Sequence, residues 1–151
     1  MKAETLKVDV DFTELIEKAV DLHGHLGPFV VIGVKMGEIA KRILNSANSG
    51  NDALQVTAEV PLSIPFSCVL DGIQIATQCT VGNQKLKIKN SQKDITAYFQ
   101  SVKIGKTLKI SVNPQVTETL MEKISKGSQN EKLAWEIAHT PENQLFIVEK
   151  P

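Results

Sequence analysis

Two imidazoles separated by one glycine, His23-Gly24-His25, are the first residues in this sequence equipped for chemistry. Neutral imidazole is both a common metal ligand and a general base. On an unbroken helix, positions i and i+2 point about 200° apart and cannot share a ligand. Gly24 interrupts the helix, so both rings can turn toward one point; the plainer alternative is that His23 completes an apolar face and His25 caps a turn. Cys68 follows Pro65-Phe66-Ser67 and opens a later helix, where the dipole favours a thiolate, although Asp71 in the same first turn opposes it. A thiolate with two imidazoles is an N/S set suited to Zn²⁺ or a similar late transition ion. Three protein ligands would leave a position open for water or substrate. Without a metal, Cys68 becomes a candidate nucleophile with His25 or His23 as its base. As a bare residue type it is more often a small buried hydrophobe.

Cys79-Thr80-Val81-Gly82-Asn83 is a third point of interest. Its successive amides can form an anion nest, or simply a turn between a helix and a strand. Cys79 is a weaker candidate ligand, because it stands at the far end of the helix that Cys68 begins. Eleven residues on one helix span about 16 Å, too far for a disulfide, so both thiols are read as free. His139, beside Pro141, reads as a cation at a helix C-terminus. Trp135, with Leu133 and Ile137, reads as core or as dimer surface.

These residues need elements to hold them. Asp11 and Glu14 have capping-box spacing, and Phe12, Leu15, Ile16, Ala19, Leu22 and His23 follow a helical period that Gly24 ends. Gly27-Pro28 opens a second helix to about Leu44. Residues 29–34 are apolar on every side and predict burial, whereas Lys35, Glu38, Lys41 and Arg42 predict a solvated face for the second half. Gly33 and Gly37 suggest a close approach by another backbone or a ligand. Residues 45–52 read as a loop. Alternation predicts a strand over 54–60, ended by Pro61 and Pro65. A helix over 68–78 is followed by strands near 85–89, 95–102 and 107–112, a helix from Pro114 to about Gly127, and a short helix after a Ser128/Glu131 capping box. A strand over 144–149 closes the chain. This order predicts one α+β domain over residues 1–151, with the two N-terminal helices packed on a mainly antiparallel sheet.

The chain has 151 residues, 17 Lys+Arg and 17 Asp+Glu, so no global field draws it to nucleic acid or an anionic membrane. The longest apolar run falls far short of the roughly 20 residues that span a bilayer. Met1–Thr5 has no signal-peptide character, so the expected location is the cytoplasm. Zero net charge and the apolar start of the second helix predict a homodimer.

Together these residues resemble a known family. Leu22-His23-Gly24-His25-Leu26-Gly27-Pro28 is similar to the opening signature of the FmdE-like family, named after one component of formylmethanofuran dehydrogenase. Residues 65–74 and 77–83 resemble its other signature. The resemblance implies an α+β core, commonly dimeric, whose His and Cys residues line a pocket that holds a metal in some members. In this chain those positions are His23, His25 and Cys68, with Asp71, Gln74, Thr77, Thr80 and Cys79 around them. Gly27 stands where the family usually has Cys, and the paired cysteines of its C-terminal zinc-binding segment have no counterpart. The expectation is therefore the core domain alone. It would be a metal-binding protein, most simply with Zn²⁺, acting as a metal-dependent enzyme or as an accessory subunit of a larger dehydrogenase complex. The alternatives are a metal-free Cys-nucleophile enzyme and a non-catalytic module that binds a small molecule or docks on a partner.

Overall fold

A computed structural model describes residues 10–44 and 54–151. The loop expected at 45–52 lies outside the described residues. Helix α1 spans Val10–His23, α2 Pro28–Leu44, and strand β1 Leu54–Val60. Helix α3 (Cys68–Thr77) precedes β2 (Leu86–Asn90), β3 (Thr96–Ser101) and β4 (Lys106–Val112). Helices α4 (Pro114–Ser125), α5 (Asn130–His139) and the single turn α6 (Glu142–Leu145) lead into β5 (Phe146–Glu149). The sheet order is β2-β1-β3-β4-β5. Three of its neighbouring pairs are antiparallel, and β1–β2 is parallel. The α+β expectation holds, and the parallel pair exists because α3 crosses over between β1 and β2.

Alternation in β1 buries Leu54, Val56, Ala58 and Val60 on the face shared with Phe99, Leu108 and Ile110. α2 lies over that face. Phe29, Val30, Ile32 and Val34 are at most 1% exposed, as their all-apolar run predicts. They are covered within a single chain by α1, α3, α5 and the sheet, which removes the apolar start of α2 as an argument for dimerisation. The first helix corrects a second expectation. α1 packs on α3 and α2, burying Ile16 and Ala19 while leaving Leu22 55% exposed. At about 100° per residue, the helix carries Leu22 away from the side that holds Ile16.

Four local readings are also corrected. Asp11 lies inside the first turn of α1, not at its cap. Ser128 does not cap α5, whose N-cap is Gln129 without a side-chain bond. Instead the Ser128 amide donates to Lys123 and the Gly127 amide to Ile124, with Gly127 at φ +91°. That is a Schellman closure of α4, and it uses Ser128 on the preceding helix. Residues 142–145 form a helical turn, so the last strand starts at Phe146. Lys35, expected on a solvated face, reaches the end of α5. Its ammonium donates to the carbonyls of Ile137, Ala138 and Thr140 at 3.1, 3.1 and 2.7 Å, filling acceptors that a helix C-terminus leaves open. Burial lowers its pKa to about 8, with Glu142 opposing the shift. Arg42 grips Glu142 through two bonds of 2.9 and 2.8 Å, so α2 holds the α5–α6 corner at two points.

Among the described residues no helix is long and apolar enough to cross a membrane.

Candidate functional site

The site begins with a helix ending. The Gly24 amide donates to Val20 at 2.7 Å, and Gly24 then takes φ +99°, a conformation that suits glycine. The chain turns between α1 and α2, and the two imidazoles come together. The ring centroids of His23 and His25 are 4.6 Å apart and tilted by 40°. His23 is largely shielded, while His25 is exposed.

The second wall is the first half of α3, carried against α1 by helix packing. There His23 Nδ1 meets Asp71 Oδ2 at 2.7 Å. The side-chain amide of Gln74 donates to Asp71 Oδ1 at 3.3 Å and to the Leu70 carbonyl at 3.4 Å. His23 Nε2 is shut off from solvent and has no hydrogen-bond partner among the described residues. Sequence reasoning puts Asp71 near the site but explains it by the helix dipole. The only signal for more is its position three residues after Cys68, one helical turn along the same face.

Cys68 opens α3 as a free, half-buried thiol. Burial pushes its pKa up, and the nearby Asp71 carboxylate pushes it further. The expected thiolate preference is therefore reversed: desolvation and a like charge outweigh the helix start. That start is also partly spent, because the Cys68, Val69 and Leu70 amides donate to Pro65, Phe66 and Ser67.

The remaining predicted residues gather at the opposite end of α3. Thr77 is buried, and its hydroxyl donates to the Ile73 carbonyl at 2.7 Å. Cys79 is fully buried, its thiol donating to Leu54 at 3.3 Å; burial raises its pKa also. The Thr80 and Asn83 amides are taken up by Asn83 Oδ1 and Thr80 Oγ1. Of the two readings of 79–83, these bonds make the closed turn, with those amides already occupied. A cleft of about 300 Å³ between α4 and α5, floored by Val116, Leu120, Ile137 and Leu145, is lined by none of the predicted site residues.

The donor set fits a metal ion in part. A ligating histidine usually gives its other nitrogen to a carboxylate, and His23 does so while its Nε2 stays unpartnered. His25 is the adjacent second imidazole. Among the described residues, however, no three His, Cys, Asp or Glu side chains are grouped so as to hold an ion.

A family model described as FmdE, Molybdenum formylmethanofuran dehydrogenase operon, matches residues 22–147, which includes the site and all of the sheet but the end of β5. A probable S-adenosyl-L-methionine-binding protein of Archaeoglobus fulgidus is 41% identical over 76 residues. That match covers 49% of this chain and 20% of the relative, so the chain corresponds to a small part of the longer protein.

Proposed function

The chain belongs to the FmdE family, and on that premise we propose that it binds a transition metal ion, most simply Zn²⁺, at His23 and His25 in association with formylmethanofuran dehydrogenase. The observation that carries this reading is the unpartnered, shielded Nε2 of His23, with its Nδ1 tied to Asp71 at 2.7 Å. Cys68, one helical turn before Asp71 on α3, is the proposed third ligand, although in this structure it is not grouped with the two imidazoles so as to hold an ion. A bound ion would supply a Lewis acid. The chain's residues do the rest: Asp71 and Gln74 fix the His23 ring, and exposed His25 faces the entry side.

The test is a calorimetric Zn²⁺ titration of tag-free, chelator-treated protein. Stoichiometric binding is expected. His23→Ala, His25→Ala and Cys68→Ala should each weaken it about tenfold or more, as loss of a ligand or its support commonly does. Absence of Zn²⁺ binding would sink the metal reading. Full affinity in Cys68→Ala would remove Cys68 from the ligand set.

A second reading is favoured by the 41% identity to the Archaeoglobus protein: the shared segment carries S-adenosyl-L-methionine binding. Equilibrium dialysis with the labelled compound decides it, since free passage of label at saturating protein would exclude the reading. Assembly as a homodimer rests on zero net charge and exposed apolar groups such as Leu22 and Ile64. Light scattering that gives the monomer mass at all concentrations would contradict it.

A further inference from the structure

His23 has two ring nitrogens in different surroundings, and that contrast selects a tautomer. A carboxylate offers only acceptors. At 2.7 Å from Asp71 Oδ2, Nδ1 must therefore carry the proton and donate it. The opposite tautomer would set the Nδ1 lone pair against carboxylate lone pairs. It would also leave an Nε2–H shielded from solvent with no acceptor among the described residues. Of the two neutral tautomers, the one protonated on Nδ1 is the one that the contacts among the described residues accommodate.

The carboxylate is itself held. Gln74 donates from one amide nitrogen to Asp71 Oδ1 at 3.3 Å and to the Leu70 carbonyl at 3.4 Å. Leu70, Asp71 and Gln74 share adjacent turns of α3, whereas His23 is the last residue of α1. The hydrogen bond therefore joins two helices across 48 positions of sequence. A ring hung on the end of a helix would otherwise be free to flip.

We propose that Asp71 is a positioning residue, itself held by Gln74, that fixes His23 as the Nδ1–H tautomer and keeps the Nε2 lone pair free for an electrophile. This deepens the metal-binding reading, with a divalent cation as the electrophile, but it makes a claim about the metal-free protein as well.

The experiment is long-range proton–nitrogen-15 correlation NMR of the imidazoles, in chelator and at mildly alkaline pH, about 8, above the ordinary imidazole range. The His23 signals are assigned by their loss in His23→Gln. The wild-type ring should show the Nδ1–H pattern. In Asp71→Ala it should move to the Nε2–H pattern or to an average of the two. Gln74→Ala should move it part of the way, and serves as the second variant should Asp71→Ala fold poorly. Zn²⁺ affinity in Asp71→Ala should drop about tenfold or more. A wild-type ring that is Nε2–H or doubly protonated, or one whose pattern is unchanged in both variants, overturns the assignment. If the tautomer behaves as stated while wild type binds no Zn²⁺, the metal reading falls and the positioning role stands. If Zn²⁺ binds but the tautomer ignores Asp71, the reverse holds.

Discussion

Gly33 and Gly72 face each other where α2 crosses α3. A Cβ on Gly33 would run into the Val69 carbonyl oxygen, and one on Gly72 into that of Val30. Each helix therefore uses a glycine so that the backbone of the other can approach. Gly37 extends the contact to Ala76 and Thr77 one turn further on. The crossing fixes the position of α3, and with it the height of Asp71 beside His23.

Adding a methyl group at this crossing should be costly. Gly33→Ala and Gly72→Ala each force backbone displacement, and overpacking of this kind costs about 1–3 kcal/mol or more. Urea unfolding should show the loss, and the His23–Asp71 contact should loosen with it. Wild-type stability in both variants would mean that the helices can separate freely.

Lys35 gives stability a pH dependence on the alkaline side. Burial lowers its pKa to about 8 in the folded protein from an ordinary value of 10.5. The folded state thus binds the proton less tightly than the unfolded chain. Stability from the neutral amine is fully present above the unfolded value and is lost as pH falls through about 8. Three carbonyl acceptors partly offset the burial of the charge. The stability difference between wild type and Lys35→Met should therefore shift in favour of wild type between pH 8 and 10.5. Denaturant unfolding across that window tests this; a flat difference would show that Lys35 stays charged in both states.

Cys68 should be a slow thiol. Burial first, and Asp71 second, raise its pKa above the ordinary range, and the thiolate is the reactive form. Alkylation of chelator-treated protein at neutral pH should be slower than that of free cysteine, and Asp71→Asn should speed it. Fast labelling in wild type would restore the nucleophile alternative.

Cys79 should contribute to stability and not to the site. Its thiol is fully buried and donates to Leu54, tying α3's far end to β1. Cys79→Ala should destabilise by roughly 0.5–3 kcal/mol, the usual range for a core change, without altering Zn²⁺ affinity. A matched loss of affinity would bring Cys79 into the ligand set.

The sequence by itself determined the local events. Gly24 ends α1, Gly27-Pro28 starts α2, residues 29–34 are buried, and β1 alternates, because each depends on neighbours within a turn or a pleat. Gly33 signals a close approach for the same reason, since a missing side chain is visible in the sequence. Tertiary structure decided what lies opposite. Periodicity identifies an apolar face but not what covers it, so α2 reads as a dimer surface although α1, α3 and α5 cover it. Lys35 reads as solvated from its own helix and is half-buried only because α5 ends above it. Ser128 could cap either of two helices, and the αL conformation of Gly127 assigns it to the earlier one. The site divides along the same line. The His23-Gly24-His25 turn follows from adjacent residues, whereas Asp71 meets His23 only because a glycine crossing sets α3 beside α1, a contact between segments 48 residues apart.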